Sequence, residues 1–313
     1  MSVFVVNNLN SLEIAHSLIS DGDYLVLLDK GIYPAVKKGV WSKVFCFDSP
    51  NKLSFYISLH RLRKAIFEMQ KKGNLYIPNI NSPVCNNLLF YSVSWDAVYC
   101  LEEGTLNATM YLLKEELLNS IVKKVICNFF FIKYKVMLKH FSGLDLAGLV
   151  GVYTLGNSAV QSFEKPIYVV DGNQRNTFCS ESANNCLVIG QYLEDFISED
   201  VLREMLKKVN IFLGQKIGVE KIYYKPHPRK KSCVESEFFS LYDQVTKVDR
   251  AENLITELNI GIVVGICSSV LVNVKRDFPD LDVVAIGIDE LAEENIRFRE
   301  LKELFLSCEI NCK

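Results

Sequence analysis

Four short stretches put reactive or anion-binding side chains where apolar runs end. In "CLEEGTLN", Glu102 and Glu103 directly follow a β-branched and aromatic run and are closed by Gly104. Two adjacent carboxylates in a tight turn suit one of them to general-base work, because burial and the neighbouring charge raise its proton affinity. In "YYKPHPRKKS", Pro226 and Pro228 remove backbone donors and stiffen the chain around His227. A histidine held that way can donate to a phosphate oxygen or a leaving group, while Lys225, Arg229, Lys230 and Lys231 raise the local potential for anions. In "GIVVGICSSVLVNVKRD", an apolar run ends at Gly265. Ser268 and Ser269 then open a helix, with hydroxyls and unpaired N–H groups at the positive end of its dipole. In "VDRAENLITEL", Glu252 begins a helix just after a strand, where a carboxylate can accept two hydrogen bonds from a ribose diol. Each stretch taken alone also fits a plain structural role: an exposed acidic turn, a solvated basic turn, a serine N-cap, a first-turn glutamate.

The elements that must position these residues are clearest in the second half. Short runs at 186–191, 221–227, 244–249, 260–266 and 282–288 read as strands, and they alternate with helical patterns such as "SEDVLREMLKKVNIFLGQ" and "AENLITEL". That alternation implies βαβ units and a parallel sheet covered on both faces. In the first half, strands are expected at 2–6, 24–29, 43–48 and 96–101, with helices over 52–73 and 109–125; a turn signal at Thr105 to Asn107 precedes the second helix. The architecture expected is α/β with two Rossmann-like domains and a cleft between them. The stretch "GLVGVYTLGNSAVQSFEKP" concentrates Gly, Asn, Ser and Pro and sets the division, giving domains 1–155 and 156–313, with the last helix able to pack back on the first domain. In such sheets ligands collect outside the carboxyl ends of the strands, which is where the four stretches fall.

The bulk composition is permissive. With 313 residues, 49% of them hydrophobic, the chain can bury a large core. A formal charge of −2 excludes a global polyanion-binding signature, so nucleic acid is not an expected partner and anion recognition must be local. The ten cysteines show no zinc-ligand spacing, and most read as reduced core thiols of a cytoplasmic protein. "MSVFVVNNLNS" reads as a first buried strand rather than a signal peptide, and the longest dense apolar run, Val125 to Ile132, is far short of the roughly 20 residues of a membrane span.

Taken in order, Glu-Glu-Gly, Lys-Pro-His-Pro, an acidic residue 25 positions after the histidine and Ser-Ser another 16 on resemble the bacterial sialyltransferases and polysialyltransferases of GT-B fold, lipooligosaccharide and capsule enzymes among them. The resemblance spans Glu102 to Ser269 in motifs rather than continuous similarity. It implies that Glu103 is the general base for the acceptor hydroxyl, supported by Glu102. His227 would contact the CMP phosphate and assist its departure. Lys225 would lie near the cytosine, Pro228 would belong to the CMP-binding motif, Glu252 would hold the ribose hydroxyls, and Ser268 and Ser269 would bind the phosphate. The reaction implied is inverting transfer of sialic acid from CMP-sialic acid, without a metal or other cofactor, to a galactoside or sialoside of a bacterial surface glycan or glycolipid. The opening "VFVVNNLNSLEIAH" lacks a Gln-containing signature seen in the lipooligosaccharide enzymes.

Three alternatives stay open on sequence grounds: a CDP-glycerol or CDP-ribitol phosphotransferase, which also uses an HP motif; a Kdo transferase of surface-polymer synthesis; and a noncatalytic nucleotide-sugar-binding protein. The basic segments "HRLRK" (60–64), "KK" (71–72) and "FFFIKYKVMLKHF" (129–141) alternate cations with aromatics. They are expected to dock the chain peripherally on the inner face of an anionic plasma membrane.

Overall fold

A computed structural model describes the chain apart from residues 48–51, 69–72, 104–113, 137–141, 156–164, 171–182, 195, 217, 228–231, 247–249 and 295. Gly104, the turn signal at Thr105 to Asn107, Lys71, Lys72, Pro228 and the cations Arg229, Lys230 and Lys231 therefore lie outside the described residues. The chain divides into two units, Met1–Gly172 and Asn173–Lys313.

In the first unit the order is β1 (Val3–Val6), α1 (Leu9–Leu18), β2 (Tyr24–Leu27), a 3-10 turn (Lys30–Ala35), β3 (Lys43–Cys46), α2 (Lys52–Phe67), β4 (Asn74–Ile77), α3 (Pro83–Tyr91), β5 (Ala97–Leu101), α4 (Lys114–Phe129), β6 (Gly151–Leu155) and β7 (Ile167–Val170). All seven strands pair in parallel, in the order β3-β2-β1-β4-β5-β6-β7. The second unit runs β8 (Asn185–Ile189), α5 (Glu199–Gln215), β9 (Lys221–Lys225), α6 (Cys233–Phe238), β10 (Asp243–Gln244), α7 (Ala251–Glu257), β11 (Ile260–Gly265), α8 (Ser269–Asp277), β12 (Asp282–Ala285), α9 (Ile288–Glu294), α10 (Ile296–Ser307) and β13 (Asn311–Cys312). Its six parallel strands are ordered β10-β9-β8-β11-β12-β13. Both sheets repeat the doubly wound Rossmann order, in which the chain starts at the centre, works to one edge, and returns to build the other side.

Sequence explains why these strands are central. Each residue of β1, Val-Phe-Val-Val, is buried: Val3 and Val5 pack with Tyr56, Leu59, Leu62 and Ile66 of α2, while Phe4 and Val6 pack with Leu12 and Ala15 of α1. A strand apolar on both faces needs helices on both, and parallel crossovers supply them. The helices begin at legible caps. Asn8 and Ser11 form a reciprocal capping box on α1, Ser82 caps α3 with Pro83 as its first residue, and Ser198 caps α5. From that cap α5 buries Leu202, Met205, Leu206, Val209, Phe212 and Leu213, one face at helical spacing. In the first sheet an aromatic row crosses the strands: Phe4 stacks on Tyr76 at 4.2 Å, Tyr76 on Tyr99 at 5.2 Å, and Tyr153 on Tyr168 at 5.0 Å. Trp41 meets Phe4 edge-on at 5.5 Å, and Trp95 donates to the Leu88 carbonyl. Among the described residues no helix is long and apolar enough to cross a membrane.

Several boundaries differ from expectation. β4, β6, β7 and β13 were not foreseen. The Gly/Asn/Ser-rich stretch taken as a domain boundary holds β6 and leads into β7, and register with β5 keeps both in the first sheet. The break therefore comes at Gly172–Asn173 rather than 155–156. The strand expected at 244–249 is described only as the short β10, and α4 ends at Phe129 rather than 125. α10, the last helix, packs on α9 and β13 within its own unit. Gly151 had suggested a linker; its role is close approach, since an added Cβ would lie 2.5 Å from the Tyr168 ring and 2.7 Å from the Pro166 carbonyl oxygen. Gly151→Ala is therefore expected to cost about 1–3 kcal/mol, read as a lower urea midpoint; an unchanged midpoint would show that β7 does not close over β6.

Candidate functional site

In each unit the strand order reverses beside the first strand, between β1 and β4 and between β8 and β11. Crossovers leave in opposite directions there and open a crevice at the carboxyl ends of the strands. Glu102, Glu103, Lys225, His227, Ser268 and Ser269 end or follow strands at or beside these two places, whereas Glu252 opens α7 after the edge strand β10.

In the first unit the adjacent carboxylates are treated differently. Glu102 is buried, its amide bonds the Tyr153 carbonyl at 2.9 Å, and its Oε2 accepts the Leu155 amide at 3.4 Å. It is tied into the β5–β6 ladder. Glu103 is half-buried, and its two carboxylate oxygens are taken by different strands. Asn7, at the exit of β1, donates from Nδ2 to Oε1, and Asn79, past the end of β4, donates from Nδ2 to Oε2 at 2.8 Å. The Asn79 side-chain oxygen accepts the Ser82 amide at 3.1 Å, so its NH2 must face the carboxylate. Asn8, the cap of α1, donates to the Glu103 carbonyl at 2.8 Å, which brings the positive end of α1 beside the acidic corner. The arrangement holds one carboxylate in a fixed orientation at a strand exit, as a proton acceptor requires. Nearby thiols are excluded as nucleophiles. Burial, together with the Glu103 charge, pushes the Cys85 thiol up to about 12, and Cys100 is raised in the same way.

In the second unit, β9 delivers Lys225, Pro226 and His227, with Lys225 and His227 half-buried. Ser268 caps α8, its Oγ accepting the Val270 amide at 3.3 Å, and Ser269 is the first residue of that helix. A buried network links these two exits. Tyr224, three residues before His227, donates from its hydroxyl to Glu235 Oε2 at 2.9 Å. Both Glu235 oxygens accept the Gln191 amide, at 2.9 and 3.0 Å, and the Gln191 side-chain oxygen accepts the Cys267 amide at 2.7 Å, next to Ser268. Gly190 leaves room for it, because a Cβ there would lie 2.7 Å from the Tyr224 hydroxyl and 2.8 Å from Glu235 Oε2. Glu235 and Gln191 are thus positioning residues for the histidine-bearing strand and the serine turn.

Glu252 lies in the first turn of α7, as expected, but its carboxylate is buried, 5% exposed. Arg250 Nη2 is 3.1 Å away, in charge contact but off-axis for a hydrogen bond. Burial pushes this carboxyl up; the Arg250 guanidinium charge and hydrogen bonds from its own amide and from Asn273 outweigh that and hold it below its ordinary value.

Asn7, Asn79, Gln191, Glu235 and Arg250 were not anticipated from sequence. A signal existed for some of them. Asn-Asn directly follows the first apolar run, and Gly-Gln follows "CLVI", the places where a strand exit presents polar side chains.

Comparison with known proteins gives three further findings. A family model for alpha-2,8-polysialyltransferase (POLYST) matches residues 97–286. None of the curated proteins matches the chain. Among solved structures, the alpha/beta-galactoside alpha-2,3-sialyltransferase of the luminous marine bacterium Photobacterium phosphoreum superposes with a TM-score of 0.53 at 11% identity, covering 99% of this chain and 97% of that one. UDP-GlcNAc 2-epimerase from Neisseria meningitidis, bound to UDP-GlcNAc, gives 0.53 at 10% identity over 100% and 95%. At such identities the likeness speaks for the fold, and with the two parallel sheets it establishes a GT-B architecture.

Burial raises the Glu235 carboxyl from 4.5 to about 7, against the pull of the Gln191 and Tyr224 hydrogen bonds. Between those values the folded chain keeps a proton that the unfolded chain has released. Stability contributed by this group is full below pH 4.5 and falls as pH rises toward 7, by up to about 3 kcal/mol. Glu235→Gln is expected to remove that share of the slope in urea midpoints measured across the interval; an identical slope in the variant would mean the carboxyl is not desolvated.

Proposed function

The chain belongs to the alpha-2,8-polysialyltransferase family and is a sialyl-transferring glycosyltransferase, and from that premise we propose inverting, metal-independent transfer of sialic acid from CMP-sialic acid to a galactoside or sialoside acceptor of a bacterial surface glycan. The observation that carries the mechanism is the Glu103 carboxylate, gripped by Asn7 and Asn79 at the reversal of the first sheet. Glu103 takes the proton of the acceptor hydroxyl as that oxygen attacks the anomeric carbon of the donor. The bond from that carbon to the phosphate oxygen breaks, its electron pair leaves with CMP, and attack from the opposite face inverts the centre.

Negative charge grows on the departing phosphate. His227 meets it as hydrogen-bond donor, with Ser268, Ser269 and the N-terminus of α8 completing an anion cradle. Lys225 adds positive charge near the nucleotide, and Pro228 belongs with the same motif. Glu102 supports Glu103 by holding the turn to β6. Glu252, paired with Arg250, is assigned to the ribose side, where Arg250 fixes its ionised form. Cations and helix N–H groups supply the charge stabilisation that other transferases take from a divalent ion.

Glu103→Gln is expected to lower kcat with CMP-sialic acid and a galactoside by at least about 100-fold while leaving CMP binding intact; undiminished turnover would remove Glu103 as the base. His227→Ala is expected to lose about 100-fold as well and to weaken CMP binding. Activity should persist in excess EDTA, and its abolition there would overturn the metal-free reading. Turnover of CDP-glycerol in place of CMP-sialic acid would overturn the donor assignment.

A further inference from the structure

Helix α4 turns an apolar face outward. Leu118, Ile121, Val122, Val125 and Phe129 form one stripe at helical spacing, each between 44% and 78% exposed, while Ser120 and Cys127, among the described residues, are buried. Phe131, just past the helix end, is 87% exposed and sits at a φ of +58°, a conformation that bulky side chains seldom adopt. Contiguous exposed apolar surface of this kind marks an interaction site.

The fold brings a second, sequence-distant segment alongside it. The Tyr56 ring of α2 stacks on Phe130 at 4.3 Å, and His60 Nε2 lies 3.1 Å from the Phe130 carbonyl. The exposed Ile57 and Phe67 of α2, the latter 80% exposed, thereby extend the apolar surface. Charge is one-sided over the same area. Residues 52–68 and 118–136 together hold eight lysines and arginines against one acidic residue, Glu68, in a chain whose net charge is −2. Lys123 is committed to Asn81 and Lys64 lies 3.9 Å from Glu68, while Arg61, Lys64, Lys124, Lys133 and Lys135 are all exposed. Lys133 lies over the Tyr91 ring at 5.9 Å and Lys135 over Phe90 at 4.4 Å. Between α2 and the end of α3 a cleft of about 280 Å³ is lined by the cations Arg63 and Lys64 and the aromatic rings of Phe67 and Tyr91, among others.

We propose that this face of the first unit docks on a bilayer containing anionic phospholipid, with the exposed phenylalanines and the α4 stripe entering the interface and the cleft receiving a headgroup phosphate. Charge complementarity selects an anionic surface, each lysine or arginine near such a membrane strengthening binding. The apolar stripe selects a bilayer over a dissolved polyanion, which would use the cations and leave Leu118, Val122 and Val125 in water. The inference is independent of the donor and acceptor assigned above.

The test is flotation of the full chain with vesicles of phosphatidylcholine alone and of phosphatidylcholine mixed with phosphatidylglycerol. Binding is expected only to the mixed vesicles and should weaken as salt rises. Phe129→Ser with Phe131→Asn, the second chosen because asparagine tolerates positive φ, should reduce that binding by about tenfold or more with an unchanged thermal melt. Neutralising Lys64, Lys133 and Lys135 to glutamine should reduce it as well. Equal binding to neutral vesicles, no binding to either, or full binding by the phenylalanine variant would overturn the proposal. So would retention on a soluble polyanion that the phenylalanine variant keeps in full, since the face would then be a polyanion site.

Discussion

β1 and β8 each pair on both sides, β1 with β2 and β4, β8 with β9 and β11, and that double pairing determines where chemistry can be done. Once the central strand has a neighbour on either flank, the right-handed crossovers must leave it in opposite directions, and neither can cover its carboxyl end. Polar side chains from different strands can then meet without burying unsatisfied groups. Asn7, Asn79 and Glu103 converge at one such place, and Gln191 and Cys267 at the other. The sheet therefore supplies more than scaffolding. It determines which residues, far apart in the chain, become neighbours.

The two meeting points solve different electrostatic problems. At Glu103 the neighbours include the amide donors of Asn7 and Asn79 and the N-terminus of α1, which fix the direction of its carboxylate. At Glu235 burial dominates and favours the neutral acid, so that carboxyl holds backbone and hydroxyl donors in place. Glu102, one residue from Glu103, is drawn into the sheet by the bonds of its amide and its carboxylate to β6. Equal residue types one position apart thus receive unequal tasks from the partners at the strand exit.

Much of the second unit was legible in its sequence because β8, β11 and β12 are short, largely apolar runs separated by helices; the Ser268 and Ser198 caps and the first-turn position of Glu252 fell where residue type places them. The first unit was harder. β4, Asn-Leu-Tyr-Ile, is only four residues long and flanked by turn formers, so its exit, with Asn79, was invisible. β6 hid in a glycine-rich stretch, and β7 just after it, because Gly151, read locally, signals a turn, whereas its actual cause is the Tyr168 ring lying over it. The positioning contacts of Asn7, Gln191 and Glu235 depend on cross-strand register, which no single stretch encodes. The outward stripe of α4 has the periodicity of a core-facing helix, and only its placement shows which way it faces.

Both tryptophans of the chain, Trp41 and Trp95, belong to the first unit, one against Phe4 and the other bonded to the Leu88 carbonyl. The second unit has none. Intrinsic tryptophan emission is therefore a label already installed on one half of the molecule: it follows the environment of the acidic half while the histidine and serine half stays optically silent, so emission and backbone dichroism together separate the unfolding of the two halves without any added dye.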